Sequence, residues 1–447
     1  MCGIFFAQSS DKKKQQIFEQ LSAGALETIR SRGPDRQEVY CDGGFVMGHT
    51  HLRITGNKNQ PIQNSQYVIS FNGEIYNNLE IENADIDSQF LEGKILDDGF
   101  NAFGEFDGEF AIIAASKKNN KVWLSTDCFG TKPLYMSLGP DYFVCGTYES
   151  TVLAFGVVGA VQLPANTAIE VDLREYKISA VKELFKFDFS GSNVDSYEPW
   201  IESFRESIRK RTHNKDQKYF VSFSAGHDSG LIAAEMMQQK VPYKVYSCPY
   251  MEDMETLIKR LVLLEENGVF AEKIIIDEET VNRHKDLLSS ISYQVYSSDF
   301  SLSMFPRYEI SQINGYIASS VICQKARLEG RLISLNGQGA DEIVSDYFNE
   351  FGNSRKSELM GKWSHVNRPW RNFFGGWNRI FLGATERVSG LHGIESRYPF
   401  LDRKLVQNYI HISPKLKEKE YKAPIAERLR QLGFPFHRRK QGFAGYE

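Results

Sequence analysis

The chain has 447 residues, of which 41% are hydrophobic and 25% charged, and its formal net charge is −4. This length predicts two or more domains, and the composition is typical of a globular protein with enough apolar material for two cores. The net charge argues against a nucleic-acid surface built on bulk positive charge.

The cysteines and the N-terminus bear on the compartment. No C-x-x-C pair occurs, which argues against a zinc knuckle or a thioredoxin-like motif and favours free thiols in a reducing compartment. No stretch approaches the ~20 apolar residues of a membrane helix. The N-terminal charges follow the first apolar run, whereas those of a signal peptide precede it. We therefore expect a cytoplasmic protein without a membrane partner.

The first 185 residues are typical of a β-rich domain. Apolar residues recur at helical spacing over about 12–30, which predicts one helix. Short apolar runs separated by Gly, Asn and Asp turns predict strands at 67–71, 110–116, 121–126 and 142–147. We expect an α+β layered domain over residues 2–186.

The pattern changes after a polar stretch at 187–199, where Ser, Gly, Asn, Asp and Pro cluster as in a linker. Residues 218–224 then predict a buried strand and residues 231–239 a helix, and further strands and helices alternate behind them. Alternation of this kind predicts a parallel sheet covered on both faces. We expect an α/β domain over residues 200–447.

Cys2 follows the initiator methionine. Removal of Met1 would leave Cys2 with a free α-amino group beside its thiol. The α-amine titrates near ~8 and the thiol near ~8.5, so the amine can serve as the base for its own nucleophile. Position alone also fits an incidental cysteine, so further motifs have to decide.

Six motifs, the first of which contains Cys2, supply that context. They are MCGIF at 1–5, SRGPD at 31–35, GHTHLRI at 48–54, QPI at 60–62, FNGEIYN at 71–77 and DCFGTKPLY at 127–135. In this order they resemble the class II glutamine amidotransferases, whose N-terminal cysteine hydrolyses glutamine. The resemblance implies an Ntn-hydrolase-like fold for the first domain and a catalytic role for Cys2.

The resemblance also implies roles for residues around the nucleophile. Asn72 and Gly73 occupy the positions that stabilise the tetrahedral oxyanion in this family. Arg53 resembles the anchor for the carboxylate of glutamine, a role suited to a guanidinium. Glu74 and Asp87 resemble the acidic groups that bind its ammonium. Asp87 lies in a loosely matched segment, and a solvated surface carboxylate is the alternative interpretation.

A second motif lies where the predicted strand at 218–224 runs into AGHDSG at 225–230, a turn rich in small residues, and then a helix. Such a turn lets backbone amides and a helix N-terminus face an anion. It resembles the loop of the ATP-pyrophosphatases, which cleave ATP to AMP and pyrophosphate. Further segments resembling asparagine synthetases lie at 335–347, 393–406 and 438–443.

This second resemblance implies ATP and Mg²⁺ as cofactors. Asp228 and Asp341 resemble the two carboxylates that bind Mg²⁺, which prefers oxygen ligands. Lys422 is the best match to a lysine that stabilises charge at the reacting centre, and a surface helix lysine is the alternative. The residues expected to bind ATP are Ser222, Ser224, Gly226, Asp228, Ser229 and Gly337.

Some positions depart from the asparagine synthetase pattern. Gln338 replaces a glutamate that these enzymes usually carry, so that the position has no negative charge and no base. Ala225 and Ser345–Asp346 are further departures, and 447 residues is short for this family.

Three functional hypotheses therefore stay open. The first is synthesis of asparagine from glutamine, aspartate and ATP. The second is the same chemistry on another carboxylate, such as a sugar acid of a surface polysaccharide or a natural-product precursor. The third is a scaffold without synthetase activity. The expected partners are small-molecule substrates, with no nucleic acid, and a homodimer is left open.

Overall fold

The computed structural model describes residues 1–56, 58–77, 79, 86–214, 216–249, 252–291, 309–345 and 357–437. The chain divides into two compact units, Met1–Lys186 with Gly390–Glu395 and Phe187–Ser389 with Ser396–Glu447. The assignment of 2–186, 187–199 and 200–447 to a first domain, a linker and a second domain stays a prediction. Within the described residues, no helix combines the length and the apolar character needed to cross a membrane.

The first unit consists mainly of short strands. In chain order its elements are β1 (Gly3–Ser9), α1 (Lys12–Glu27), β2 (Arg36–Cys41), β3 (Val46–His51), β4 (Ile62–Gln63), β5 (Tyr67–Ile75), α2 (Ile86–Asp98), β6 (Gly108–Ser116), β7 (Lys121–Thr126), β8 (Tyr135–Leu138), β9 (Tyr142–Gly146), α3 (Glu149–Leu153), β10 (Val161–Gln162), β11 (Thr167–Asp172) and β12 (Lys177–Glu183). Antiparallel pairing joins them into two sheets, with strand orders β10-β8-β9-β1-β3-β2 and β12-β11-β7-β6-β5-β4.

The two sheets bury an apolar layer between them. Alternate side chains of a strand point to opposite faces, and one such set packs into a shared core that includes Ile4 and Phe6 of β1, Met47 of β3 and Val68 of β5. The opposite faces are covered by helices, α1 and α3 on the first sheet and α2 on the second. This helix–sheet–sheet–helix order confirms the predicted α+β layered class.

From residue 198 helices and strands alternate at first, and helices predominate among the described residues after about residue 278. The elements are α4 (Glu198–Arg211), β13 (Tyr219–Ser222), α5 (His227–Gln238), β14 (Tyr243–Ser247), α6 (Met254–Glu266), β15 (Phe270–Lys273), α7 (Glu278–Ser289), α8 (Asn314–Leu328), β16 (Ile333–Leu335), α9 (Ala340–Val344), α10 (Arg371–Phe374), α11 (Gly376–Leu391), β17 (Glu395–Arg397), α12 (Arg403–His411), α13 (Pro414–Lys417) and α14 (Ala423–Gln431).

The third sheet, formed by β13 to β17, contains parallel strand pairs. Its strand order is β15-β14-β13-β16-β17, and the pairs β14–β15, β13–β14 and β13–β16 are parallel. Consecutive residues Tyr219, Phe220 and Val221 of the central strand are all fully buried, so both of its faces are covered. The predicted α/β parallel-sheet class is therefore confirmed for this part of the chain.

This topology places the second motif at one edge of the sheet. Since β13 and β16 are parallel neighbours, the loops 223–226 and 336–339 both follow the carboxyl ends of their strands. Loops at this edge of an open parallel sheet are where such folds bind ligands.

Candidate functional site

Cys2 is fixed at the start of β1 by contacts on both sides. Its backbone N–H donates a hydrogen bond to Asn72 Oδ1 at 2.8 Å, and Arg32 Nε donates one to its carbonyl at 2.8 Å. Arg32 is fully buried and also donates to the hydroxyl of Tyr148 at 2.5 Å. The structure therefore brings the predicted nucleophile and the predicted oxyanion residue into direct contact.

Strand alternation explains why polar groups gather here. Cys2 continues the inward face that Ile4 and Phe6 occupy on β1, and the neighbouring inward faces of β3 and β5 end in polar residues in the same way. One end of the apolar layer is therefore polar, and its residues are Cys2, His49, His51, Ser70 and Asn72.

Asn72 and Gly73 have the local geometry that an oxyanion site needs. Asn72 Nδ2 is buried and has no hydrogen-bond partner among the described residues, which leaves a donor beside Cys2. Gly73 has φ +119°, and a Cβ placed on it would lie 1.8 Å from the carbonyl oxygen of Glu109. Only glycine fits this point of the β5–β6 ladder. The catalytic role of both residues stays a prediction.

The three predicted glutamine-binding side chains lie in different places. Glu74 is buried in β5, two residues from Asn72. Arg53 follows β3 with an exposed side chain, and its backbone N–H donates to Asp35 Oδ2 at 2.8 Å. Asp87 lies in the first turn of α2, where its Oδ1 accepts a hydrogen bond from Ser88 N at 2.6 Å. Their binding roles stay predictions.

In the second unit, the turn after β13 is shaped by hydrogen bonds to its own residues and to α6. The Ser224 and Ser229 hydroxyl oxygens lie 3.0 Å apart, and Gly226 N donates to Ser224 Oγ at 3.1 Å. Fully buried Arg260 of α6 donates from Nη1 to the carbonyls of Ser224 and Gly226, at 2.8 and 2.7 Å. The turn, residues 224–229, is called the phosphate loop below.

Lys422, the N-cap of α14, meets Asp228 at the start of α5 and Asp341 of α9. Lys422 Nζ lies 2.7 Å from both carboxylate oxygens of Asp228 and 2.5 Å from Asp341 Oδ1. The Lys422 side chain is only 2% exposed, while those of Asp228 and Asp341 are 22% and 21% exposed. Lys422 is therefore buried in an ion-pair cluster, and the alternative of a surface lysine is wrong.

The same cluster fits a hard divalent cation. Asp228 and Asp341 offer only oxygen donors, the kind that Mg²⁺ prefers. Both side chains are partly exposed, which leaves room for phosphate oxygens as further ligands of the ion. Within the described residues, no group of three or more His, Cys, Asp and Glu could hold a metal. A Mg²⁺ ion would therefore depend on substrate and water for the rest of its ligands.

A cavity of about 350 Å³ joins the phosphate loop to the lysine cluster. Gly337 allows this close approach, because a Cβ on it would lie 2.8 Å from Asp228 Cβ. Gln338 donates from Nε2 to Thr385 Oγ1 at 3.1 Å, and both residues line the cavity. The predicted residues that line it are Ser222, Ser224, Gly226, Asp228, Ser229, Gly337, Asp341 and Lys422.

The family of the first unit follows from a direct match. Residues 1–189 match the family model described as a glutamine amidotransferase domain. Residues 1–189 are a glutamine amidotransferase domain. This match confirms the resemblance carried by the six motifs around Cys2.

Beyond the glutamine amidotransferase domain, the similarity continues through the rest of the chain. Glutamine-hydrolyzing asparagine synthetase 2 of Oryza sativa subsp. japonica is 24% identical, covering 93% of this chain and 70% of its own length. The glutamine-hydrolyzing asparagine synthetase of Rattus norvegicus is 23% identical, covering 93% and 78%. These relatives confirm the predicted resemblance to asparagine synthetases. Among solved structures, the allosteric regulatory enzyme of purine biosynthesis has a TM-score of 0.34 at 13% identity, over 61% of this chain and 80% of that one.

The glutamine amidotransferase domain contains two polar-end residues that the motifs did not single out. His49 Nδ1 lies 2.8 Å from Ser70 Oγ, and the rings of His49 and His51 are 5.3 Å apart. Burial lowers the pKa of His49 well below its usual value and that of His51 to about 4, and the terminal ammonium adds to both effects. Both imidazoles are therefore neutral at neutral pH. The alternating polar residues of GHTHLRI were the available signal.

Burial also changes the titration of the N-terminus itself. It raises the pKa of the Cys2 thiol, partly offset by the ammonium of the chain start, and it lowers the pKa of that ammonium. Both shifts favour the uncharged forms, which are a neutral Cys2 thiol and a neutral terminal amine.

Other motif residues of the domain have structural contacts. Gln60 Oε1 accepts a hydrogen bond from Phe71 N at 2.8 Å, which ties QPI to β5. The Asp127 carboxylate accepts hydrogen bonds from the backbone of Phe110, Phe129 and Thr131 at 2.9–3.1 Å, and burial raises its pKa to about 6. Residues 438–443 and Asp346, which also belong to quoted segments, lie outside the described residues.

Proposed function

We propose that this chain is a glutamine-dependent, ATP-consuming carbon–nitrogen ligase that amidates a carboxylate, with aspartate as the first acceptor to test and asparagine as its product. The single observation that carries the proposal is the Lys422–Asp228–Asp341 cluster beside the phosphate loop. A buried lysine paired with two carboxylates in a cavity fits phosphate chemistry far better than a structural core. The glutamine amidotransferase domain supplies the nitrogen donor.

The glutaminase step uses residues of the polar end. With Met1 removed, the α-amine of Cys2 takes the thiol proton, and Sγ attacks the carboxamide carbon of glutamine. Asn72 Nδ2, a buried donor with no partner in the described part of the chain, stabilises the developing oxyanion. The carbon–nitrogen bond then breaks, ammonia leaves with the proton from the amine, and water hydrolyses the glutamyl thioester.

The synthetase step uses the cavity of the second unit. The acceptor carboxylate attacks the α-phosphorus of ATP, the bond to the β-phosphate breaks, and pyrophosphate leaves. Amides and hydroxyls of the phosphate loop hold the pyrophosphate portion, and Lys422 offsets the negative charge that builds up. Asp228 and Asp341 would hold Mg²⁺, which supplies charge neutralisation on the phosphates when bound. Ammonia then attacks the acyl carbon and AMP leaves.

A second candidate acceptor is favoured by one contact. Gln338 donates its amide N–H to Thr385, so a neutral pair lines the cavity where asparagine synthetases usually carry a glutamate. An incoming ammonium or an acceptor amine gains no attraction from this pair. This supports amidation of a carboxylate other than aspartate, such as a sugar acid or a natural-product precursor.

The test is pyrophosphate release from MgATP with glutamine across a panel of carboxylates headed by aspartate, with mass detection of the amide. Cys2→Ala is expected to abolish glutamine-dependent turnover and to keep turnover with ammonia. Cys41→Ala is the matched control, because Cys41 is exposed on β2 and is expected to keep both activities.

The outcomes separate the parts of the proposal. Asparagine formation supports the first acceptor, and an amide formed only from another carboxylate supports the second. If no carboxylate of the panel supports pyrophosphate release, the ligase is refuted and the scaffold hypothesis remains. Normal glutamine hydrolysis by the Cys2→Ala variant would refute the nucleophile.

A further inference from the structure

One backbone amide of the phosphate loop already binds an anion from the protein itself. Ala225 N donates a hydrogen bond to Glu252 Oε2 at 2.5 Å, and Ala225 is fully buried. Glu252 lies in the connection between β14 and α6, after the carboxyl end of a strand that neighbours β13. The carboxylate therefore sits at the same edge of the sheet as the cavity.

The N-terminus of α6 directly follows Glu252 and holds the backbone beside it in place. Asp253 is the N-cap of α6, and its Oδ2 accepts a hydrogen bond from Thr256 Oγ1 at 2.7 Å. Farther along the same helix, Arg260 binds two carbonyls of the phosphate loop. The phosphate loop therefore has two contacts with this region: Arg260 of α6 donates to its carbonyls, and Glu252, one residue before the N-cap, accepts from its Ala225 amide.

These two contacts differ in what they require of a ligand. Arg260 engages carbonyl oxygens, which a phosphate does not use, so its contacts are compatible with an occupied loop. Glu252 engages an N–H, the group that a phosphate oxygen would accept from in a loop of this type. Burial raises the pKa of Glu252, and the Ala225 amide and Arg260 partly offset this effect.

We propose that Glu252 is a resident anion that competes with a phosphate oxygen for the Ala225 amide, and so lowers the affinity of the phosphate loop for pyrophosphate and nucleotide phosphates. This inference rests on the proposed function in one respect, that the loop holds the pyrophosphate portion of ATP. Glu252 then sets how readily the product leaves and how much pyrophosphate inhibits the enzyme.

A purely structural role for Glu252 predicts the opposite sign. If the carboxylate only shapes the loop, its removal loosens the binding site and weakens pyrophosphate binding. If it competes, its removal frees an amide and removes a negative charge next to a polyanion, and binding becomes tighter. The direction of the change in affinity therefore distinguishes the two roles.

The experiment is calorimetric titration of the full chain with magnesium pyrophosphate at fixed pH and salt. Glu252→Gln removes the negative charge and keeps a weaker, neutral acceptor beside Ala225 N. It is expected to tighten binding by about threefold to tenfold, the size of one charge-assisted contact in partly solvated surroundings. Glu252→Ala is expected to change affinity in the same direction. Glu255→Gln is the matched control, because Glu255 is 77% exposed, belongs to α6 and pairs with Lys259. It is expected to bind pyrophosphate like the wild type.

Unchanged or weaker binding by Glu252→Gln, with wild-type binding intact, would overturn the competition and leave the proposed ATP site standing. Absence of binding to the wild type and to every variant, for both pyrophosphate and MgATP, would instead refute the ATP site itself. Thermal unfolding of each variant identifies any loss that comes from misfolding, and Glu252→Gln keeps the test valid if the alanine variant unfolds.

Discussion

At the scale of single residues, the sequence motifs predicted which side chains are candidates for the two sites. Cys2, Asn72, Asp228 and Lys422 could be named because the segments around them resemble family motifs, and each side-chain type suits the role that the resemblance implies. His51 could not be named in the same way, because its place opposite the start of β1 depends on the β1–β3 register, in which Gly3 faces Thr50.

Gly73 gives a prediction at this scale. Gly73→Ala is expected to lower the free energy of unfolding by about 2–5 kcal/mol, because the residue has φ +119° and the added Cβ overlaps the Glu109 carbonyl. Glutaminase activity is expected to fall with it, since the adjacent Asn72 would shift. Urea denaturation and a glutamate-release assay measure both effects.

Gly93→Ala is the control for that substitution. Gly93 lies inside α2, and no atom lies within 4 Å of a Cβ built on it. The free energy of unfolding is expected to rise by about 0.5–1 kcal/mol, because alanine is the better helix former. Equal behaviour of the two variants would show that the backbone at Gly73 is not as described.

At the scale of elements, the hydrophobic pattern located the strands and was less informative about their ends. The run at 121–126 coincides with β7, whereas the run at 67–71 is only the first half of β5, which continues through Ile75. The pattern stops early because Asn72, Gly73 and Glu74 are polar or small residues on a buried strand. Burial alone therefore does not account for the residue types there.

Asp402 gives a prediction at the scale of elements. It is the N-cap of α12 and also lies 2.9 Å from Lys210 Nζ and 3.5 Å from Arg211 Nη1 of α4. Asp402→Asn keeps a capping oxygen and removes the buried negative charge that Lys210 and Arg211 contact. The free energy of unfolding at neutral pH is expected to fall by about 3–5 kcal/mol in urea denaturation.

The pH dependence of that difference has a definite sign. Burial raises the pKa of Asp402, but Lys210 and Arg211 lower it by more, so the folded value lies below the usual one. The stabilisation is therefore complete above the ordinary aspartate pKa of about 3.9 and is lost as the pH falls through the folded value. Asp277→Asn is the control, because Asp277 is an exposed N-cap of α7 and is expected to change stability little. A variant at Asp402 as stable as the wild type at neutral pH would contradict the ion-pair contribution.

At the scale of the whole molecule, the order of an α+β part before an α/β part could be predicted, since strand-rich and alternating segments differ in pattern. The return of Gly390–Glu395 to the first compact unit could not be predicted. Its composition does not differ from that of its neighbours, and only long-range packing assigns it.

The two units give a prediction at this scale. MgATP is expected to slow amide hydrogen exchange in segments around the phosphate loop, residues 219–238 and 333–345, and to leave residues 1–56 unchanged. Binding at 100 times the dissociation constant stabilises the bound state by about 2.7 kcal/mol. Asp228→Asn is the control that is expected to lose this protection. Equal protection throughout the chain, or protection confined to the first unit, would contradict an ATP site in the second.

The alternation that builds the polar end has a consequence for how this chain can change in evolution. His51 and Asn72 share their strands with the core residues Met47 and Val68, and Cys2 directly precedes the strand of Ile4, in each case at an even spacing. A one-residue insertion or deletion between the members of a pair would turn the reactive side chain to the opposite face while the core stayed in place. A two-residue change would restore the face but move the side chain by about 6–7 Å along the strand. Homologues that keep the glutaminase should therefore collect their insertions in the connecting loops.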